Sequence, residues 1–194
     1  DLVRSRGLGD VYKRQGGTAK GHTIKAPKGV DTRPTLDRVR ESVFNVLSNR
    51  GIFGTHVLDI FSGTGAVAIE ALSRGASHAV AVDFKTGKLI LENAKHCHVE
   101  DRLEIIPRKL SQLKNYIMGR QFDYIFSDPP YENGFIQETI DMVVDCDLLK
   151  PEGVLLLEHH KDEAFTLPES WKCIKEQKFG YTMVSYFVNT AERS

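Results

Sequence analysis

From residue 51 onward the chain alternates between short apolar runs and amphipathic stretches, and this alternation constrains the fold more than any other feature. The apolar runs predict strands over residues 56–61, 78–83, 103–107, 122–127 and 153–158. The stretches between them predict helices over residues 66–74, 86–98, 109–118 and 134–147. Strands and helices that alternate at this spacing form βαβ units around a parallel sheet. The prediction is an α/β fold with helices on both faces of the sheet.

The C-terminal end departs from this alternation. Residues 171–178 and 181–188 are joined at Phe179-Gly180, which leaves no room for a helix between them. Along the second of these segments Tyr181, Met183, Ser185 and Phe187 alternate with Thr182, Val184, Tyr186 and Val188, as the two faces of a strand do. We therefore expect an antiparallel hairpin that closes one edge of the sheet.

The N-terminal fifty residues divide into three parts. Residues 1–15 have no periodicity and no apolar face, and they resemble translated adapter sequence, so we expect a non-native tail that carries no structure. Residues 16–50 predict an arm, as a short hairpin or an extended segment, followed by a helix over 36–47 with Thr35 as its N-cap. Residues 51–194 form the predicted main domain.

Charge is distributed unevenly along the chain. Residues 16–50 hold seven basic and three acidic residues, whereas residues 51–194 hold 15 basic and 21 acidic ones. A basic arm on an acidic body suits a polyanionic partner, and a solvated charged segment explains the charge equally well. The three cysteines are far apart, which favours a reducing compartment. With no apolar run of membrane-spanning length, the expectation is a cytoplasmic protein without a metal site.

A glycine-rich turn follows the first predicted strand of the main domain. Gly63 and Gly65 allow the backbone to turn sharply and a ligand to approach it. Asp83 ends the next predicted strand, where a carboxylate can accept hydrogen bonds from both hydroxyls of a ribose. Asp59, just before the turn, would repel a dinucleotide pyrophosphate but attract an ammonium or sulfonium. The local charge therefore favours S-adenosylmethionine (SAM) over NAD.

The tetrad Asp128-Pro129-Pro130-Tyr131 follows the fourth predicted strand and is the most specific motif in the sequence. Two prolines direct the chain rigidly out of the sheet at the same edge. The Asp128 carboxylate and the Pro129 carbonyl could accept hydrogen bonds from both N–H groups of an exocyclic amine, and this would free its lone pair for attack. Tyr131 offers a flat face on which an unstacked base can lie. This pattern predicts methyl transfer to a nucleobase amine.

The run DIFSGTGAVAIEALSRGA, followed by AVD and SDPPY, resembles the class I SAM-dependent methyltransferases that modify exocyclic amines. The segment TRPTLDRVRESVFN narrows the resemblance to the RsmD family, the bacterial small-subunit (16S) ribosomal RNA guanine-N2 methyltransferases. The resemblance covers residues 16–192. It implies a Rossmann-like sheet of seven mostly parallel strands with an antiparallel last strand. It also implies a monomer that uses SAM, releases S-adenosylhomocysteine and acts on small-subunit ribosomal RNA, alone or within an assembled particle.

The resemblance also implies roles for particular residues. The target guanine would be held by Asp128, Pro129, Pro130 and Tyr131. The methionine end of SAM would lie against Asp59, Phe61, Gly63 and Gly65, with Asp83 at the ribose and Phe84 at the adenine. The remaining cofactor contacts would come from Arg33, Thr35, Leu110 and Asp128. RNA phosphates would meet Lys20, Lys25, Lys28, Arg38 and Arg40. Lys109 stands where the family usually has an adenine-binding Asp or Asn, and lysine cannot accept a hydrogen bond.

Three other functions fit parts of the sequence. An adenine-N6 methyltransferase of DNA or RNA would use the same tetrad. A non-catalytic SAM-binding partner of RNA in ribosome assembly would share the glycine turn, although it has no need of the intact tetrad. An NAD-dependent oxidoreductase would also use the turn, with His159 or His160 as the candidate acid or base.

Overall fold

The computed structural model describes residues 11–13, 23–25, 34–131 and 133–191. The strands are β1 (Val11–Lys13), β2 (Thr23–Lys25), β3 (His56–Ile60), β4 (His78–Val82), β5 (Leu103–Ile106), β6 (Phe122–Ser127), β7 (Leu149–His160), β8 (Trp171–Phe179) and β9 (Thr182–Asn189). The helices are α1 (Pro34–Arg50), α2 (Ala66–Ser73), α3 (Gly87–His96), α4 (Leu110–Ile117) and α5 (Phe135–Asp145). A single 3-10 turn spans Glu100–Arg102.

Seven of these strands form one sheet in the order β5-β4-β3-β6-β7-β9-β8. The first five strands in this order are parallel to their neighbours, and β9 is antiparallel to both β7 and β8. The chain order reverses between β3 and β6, which in a doubly wound sheet opens a crevice at the carboxyl ends of the strands. The predicted fold, including the terminal hairpin, is confirmed.

Alternate side chains of the central strands pack into two separate cores. In β4, for example, Ala79 and Ala81 join the core that contains residues of α1, α2 and α3, whereas Val80 and Val82 join the core that contains residues of α4 and α5. All four residues are at most 2% exposed. Because both faces of the sheet are covered, these strands appear in the sequence as continuous apolar runs.

Helix α1 begins one residue earlier than its predicted cap. Pro34 is the first helical residue, so Thr35 lies inside the helix and the prediction that Thr35 is the N-cap was wrong. Proline is accepted at this position because the first helical N–H groups have no intrahelical partner and the proline ring already fixes a helical φ. Helix α1 also extends to Arg50, beyond the predicted end at residue 47.

Strand β7 is longer than the predicted strand over 153–158. Its pairing with β6 shifts register between Phe122, which lies opposite Leu149, and Tyr124, which lies opposite Val154. Gly153 lies inside this irregularity, where a Cβ atom would come within 2.9 Å of the Lys150 carbonyl oxygen. The structure accommodates the extra residues of β7 as a bulge within the strand.

A two-stranded ribbon of β1 and β2 lies on α3. Strand β1 falls within the first fifteen residues, so the expectation that this segment carries no structure was wrong for Val11–Lys13. Ile24 is fully buried in the core beside it. The Asn93 amide of α3 accepts a hydrogen bond from the Lys25 N–H and donates to the carbonyl oxygens of Lys25 and Thr64. Asn93 therefore joins the ribbon to the glycine turn.

Candidate active site

A large cavity lies at the carboxyl ends of β3, β4, β6 and β7. Its volume is about 980 Å³. We divide its surroundings into a cofactor half, formed by residues 59–65, 83–86 and 109–110, and a substrate half, formed by residues 128–131 and 158. Of the predicted site residues, the cavity is lined by Phe61, Asp83, Phe84, Leu110, Asp128, Pro129, Pro130 and Tyr131.

The glycine turn of the cofactor half depends on positive φ angles. Phe61, Gly63 and Gly65 have φ values of 60°, 57° and 81°. A Cβ atom on Gly65 would lie 2.9 Å from Ile90 Cγ2, so this glycine allows α2 to begin against α3. A Cβ atom on Gly63 would have no described atom within 4 Å. The turn therefore packs tightly at Gly65 and leaves its backbone open to a ligand at Gly63.

Asp59 lies beneath the turn rather than in the cavity wall. It is 1% exposed, and its Oδ2 accepts hydrogen bonds from Ser62 Oγ at 2.6 Å and from the Ala68 N–H at 3.2 Å. Burial raises the pKa of Asp59 to about 7, against the opposing effect of these hydrogen bonds. The structure corrects the predicted contact of Asp59 with SAM, because this carboxylate holds the turn from below.

Asp83 joins the end of β4 to the glycine turn. Its Oδ2 accepts a hydrogen bond from the Gly63 N–H at 3.1 Å. Its Oδ1 accepts hydrogen bonds from the N–H groups of Lys85 and Thr86 at 2.9 and 3.1 Å. Since Asp83 also lines the cavity, these hydrogen bonds hold its carboxylate in place there, and its contact with a ribose stays a prediction.

Phe84 is the exposed aromatic residue of the cofactor half. Its ring is 49% exposed, and the ammonium groups of Lys85 and Lys109 lie 5.0 and 5.4 Å from its centroid. Lys109 therefore packs on the ring in a cation–π contact instead of offering an acceptor to an adenine. Leu110 begins α4 and lines the cavity, and the first N–H groups of a helix are free to bind a ligand.

Two carboxylates meet in the substrate half. Ser127 of β6 is paired with Leu157 of β7. Asp128 directly follows Ser127, and Glu158 directly follows Leu157. Both carboxylates line the cavity. Burial raises the pKa of Asp128 to about 7, and burial together with the charge of Asp128 raises the pKa of Glu158 to about 8. The two carboxyl groups titrate together, and at pH values between their two ionisation steps the pair carries one proton.

Tyr131 closes the substrate half on the side of the terminal hairpin. Its hydroxyl hydrogen-bonds to Thr182 Oγ1 at 2.8 Å, and its ring meets the His160 ring edge to face at 5.9 Å. The Tyr131 ring remains 42% exposed. The tetrad is therefore held by a contact to β9, which lies 51 residues further along the chain.

The predicted RNA-binding residues have different surroundings. Lys25 is exposed and lies 3.6 Å from Glu92, and Arg38 is exposed. Arg40 is only 8% exposed and its guanidinium donates to Asp37 Oδ1 at 3.0 Å, so the structure removes Arg40 from the predicted RNA surface. Lys20, Lys28 and Arg33 lie outside the described residues, as does the side chain of Thr35.

Several residues that line the cavity were not predicted from the sequence, among them Lys85, Thr86, Arg108 and Glu158. Glu158 ends the fifth predicted strand, and its place at a carboxyl end was the available signal. Thr86 lines the cavity with a buried hydroxyl that has no hydrogen-bond partner among the described residues. The two histidines proposed for hydride chemistry are engaged elsewhere. His159 Nε2 lies 2.9 Å from Ser185 Oγ, and His160 stacks on Tyr181.

The charged and polar groups that line the main cavity fit SAM. The charged side chains among them are three carboxylates, at Asp83, Asp128 and Glu158, and three cations, at Lys85, Arg108 and Lys109. The carboxylates suit a ligand that carries an ammonium and a sulfonium. The Thr86 hydroxyl, which has no partner among the described residues, provides a further polar contact.

Among the described residues, no group of three or more His, Cys, Asp or Glu side chains is placed to hold a metal ion. None of the helices in that part of the chain is long and apolar enough to cross a membrane.

Comparison with known proteins places this site in a family. The family model described as "Conserved hypothetical protein 95" matches residues 13–188. Ribosomal RNA small subunit methyltransferase D of Haemophilus influenzae is 31% identical over 174 residues, which cover 88% of this chain and 89% of that protein. Its namesake in Escherichia coli K12 is 29% identical over 180 residues, or 91% and 89% of the two chains.

Solved structures agree with these matches. The structure of yhhF from Escherichia coli superposes with a TM-score of 0.83 at 27% identity and covers 94% of this chain and 100% of that one. A Thermus thermophilus protein, TTHA0928, superposes with a TM-score of 0.73 at 26% identity over 91% and 98% of the two chains. The family model and the relatives extend over nearly the whole chain, from the ribbon to β9, and the chain belongs to the RsmD family.

Proposed function

We propose that this protein is a SAM-dependent methyltransferase that modifies the N2 amine of a guanine in small-subunit ribosomal RNA. The observation that carries the proposal is the placement of Asp128 and Tyr131 on the same cavity as Asp83 and Phe61, where the glycine turn begins. Membership of the RsmD family supports ribosomal RNA as the substrate class, since relatives in that family are named small-subunit methyltransferases. The family and the Asp128 tetrad together favour the guanine amine.

The cofactor half holds SAM in this proposal. Asp83 accepts hydrogen bonds from the ribose hydroxyls, Phe84 lies at the adenine, and the turn at Gly63 follows the methionine end. SAM, when bound, supplies a methyl group that its sulfonium already activates, so the transfer needs no metal. Asp59 contributes indirectly because it holds Ser62 and the start of α2 in place.

The substrate half prepares the amine. The ionised Asp128 carboxylate accepts a hydrogen bond from one N–H of the guanine N2 amine, and the Pro129 carbonyl accepts from the other. These bonds draw the nitrogen toward tetrahedral geometry and make its lone pair available for the new bond to carbon. Asp128 then receives the proton that the methylated nitrogen loses. The remaining contribution is orientation, which can lower a barrier substantially by itself.

Tyr131 receives the unstacked base in this mechanism. Its ring is exposed toward the cavity and fixed by Thr182 and His160, so it offers a rigid stacking surface. The proposal places the reaction in the cytoplasm, where ribosomal RNA is found, with the protein acting as a monomer and without a metal ion.

The experiment that tests the proposal is transfer of tritium from labelled SAM to small ribosomal subunits that lack their own guanine-N2 methylation. Parallel reactions contain the RNA extracted from those subunits. Nucleoside analysis should find the label in N2-methylguanosine. Label in N6-methyladenosine would replace the substrate with adenine. Intact SAM binding with no label in either substrate would favour a non-catalytic role in ribosome assembly and contradict the proposed reaction.

A further inference from the structure

A second cavity opens beside the substrate half, on the other side of Tyr131. Its volume is about 650 Å³. Residues of α1, the tetrad, the end of β7 and the β8–β9 turn line it, among them Arg38, Tyr131, His160, Lys178, Tyr181 and Thr182. Tyr131 borders both cavities. A polymer with one residue in the main cavity could therefore place the next residue in this second cavity.

The second cavity contains an aromatic platform. The rings of His160 and Tyr181 are nearly parallel, with an interplanar angle of 8° and centroids 5.8 Å apart. Tyr131 meets the same histidine edge to face at 5.9 Å. Tyr181 is nevertheless 71% exposed, a large fraction for an aromatic side chain that is held in a stack. Proteins that bind single-stranded RNA stack bases on exposed aromatic rings of this kind.

The charge of the second cavity is positive. Arg38 and Lys178 are both exposed, and neither forms an ion pair with any residue that the structure describes. Lys161 lies 5.8 Å from the centroid of the Tyr181 ring, although it also pairs with Asp162. The described residues that line this cavity include no carboxylate, in contrast to the main cavity. The second cavity therefore suits an anionic group such as a phosphate.

We propose that the second cavity binds the nucleotide next to the target guanine. Its base lies against Tyr181 and His160, and its phosphate lies between Arg38 and Lys178. This inference rests on the proposed function, because it assigns the path of the RNA strand that carries the methylated base. It explains why the tetrad is joined to the β8–β9 turn at Thr182, since that contact fixes the distance between the two base-binding surfaces.

Two substitutions test the second cavity, each with a matched control. Tyr181→Ala removes the exposed ring. Phe53→Ala removes another exposed ring, which precedes the amino end of β3, whereas the two cavities lie at the carboxyl ends of strands. Lys178→Glu reverses a charge at the cavity, and Lys172→Glu reverses one near the far end of β8. Fluorescence anisotropy measures binding of labelled small-subunit ribosomal RNA over a range of salt concentrations. Calorimetry measures SAM binding by the same proteins.

We expect Tyr181→Ala and Lys178→Glu each to weaken RNA binding about tenfold or more, the scale of one stacked base or one phosphate contact. Lys178→Glu should also lower the slope of log affinity against log salt by about 1. SAM affinity and both control variants should match the wild type. RNA affinity that is unchanged in both cavity variants would overturn the inference, as would a wild type that binds no RNA.

The same preparations separate this inference from the proposed function. Weakened RNA binding in the two cavity variants, with no methyl transfer by the wild type, would support the second cavity and contradict the proposed reaction. Methyl transfer to guanine with equal RNA binding by all variants would support the reaction and contradict the second cavity.

Discussion

In the cofactor half, Asp83 binds backbone amides no more than 20 residues away in the chain. In the substrate half, Tyr131 is fixed by Thr182, 51 residues away, and Asp128 meets Glu158 only because β6 and β7 are paired. The cofactor half is therefore built from neighbouring βα turns, whereas the substrate half depends on pairing between strands that are distant in the sequence. The difference suggests that the two halves can be damaged separately, one by loss of SAM affinity and the other by loss of transfer.

The largest effect should come from the substrate half. Asp128→Ala removes the proposed acceptor of the reacting amine, and we expect transfer to fall about a hundredfold or more, as when one oriented polar group of an active site is lost. SAM affinity, measured by calorimetry, should stay within about threefold because Asp83 and the glycine turn are intact. Asp141→Ala, an exposed substitution on α5, is the control. Loss of SAM binding in Asp128→Ala would contradict the division into two halves.

A substitution in the cofactor half should lower SAM affinity rather than transfer. Asp83→Ala removes the predicted ribose acceptor and leaves the N–H groups of Gly63, Lys85 and Thr86 without this partner. We expect SAM affinity to fall about 10- to 100-fold, the range for hydrogen bonds to a charged group. Equilibrium binding of labelled SAM measures the change, with the exposed Asp101→Ala as the control. Unchanged affinity would place the ribose elsewhere.

The pH dependence of methyl transfer should also distinguish the two halves, with a smaller effect. The pKa of Asp128 is raised to about 7, so this group is protonated at lower pH and loses its charge as an acceptor. Transfer at saturating SAM should therefore rise with pH through about 7 and level off above it. Glu158→Gln resembles the protonated form of Glu158 and should keep this rise, since it leaves the Asp128 carboxyl in place. Transfer that is independent of pH between about 6 and 8 would count against ionised Asp128 as the acceptor.

The smallest effect should come from the contact between the ribbon and the cofactor half. Asn93→Ala removes three hydrogen bonds that join Lys25 and Thr64 to α3. We expect the free energy of unfolding to fall by about 1–3 kcal/mol, the cost of leaving buried polar groups unpaired, and SAM affinity to fall only a few-fold. Urea denaturation tests the first expectation and calorimetry the second. Asn115→Ala, on the exposed face of α4, should change neither quantity.

The same contrast explains what could be predicted from the sequence. The parallel strands appeared as apolar runs because both faces of the sheet are buried, and the glycine turn and Asp83 were visible because each follows directly after such a run. Glu158 was missed because its partner lies on another strand, and the sheet pairing was not known. The burial of Arg40 was missed because a basic residue on a helix looks the same in the sequence whether its face is packed or solvated.

Two predictions failed for local reasons. Thr35 has the chemistry of an N-cap, but Pro34 can itself occupy the first helical position, which moves the start of α1 back by two residues, from residue 36 to Pro34. Asp59 was expected in the cavity wall because the resemblance places it near the methionine end. In the structure Ser62 and Ala68 hold it below the turn. Its carboxylate acts on the cofactor half through the backbone.

The most direct test of the two-halves account is single-turnover methyl transfer over a series of SAM concentrations, measured side by side for Asp83→Ala and Asp128→Ala. We predict that excess SAM restores the rate of Asp83→Ala to within about tenfold of the wild type, because its defect is in binding. The rate of Asp128→Ala should stay low at every concentration. Rescue of Asp128→Ala by SAM, or a low rate of Asp83→Ala at saturation, would contradict the account.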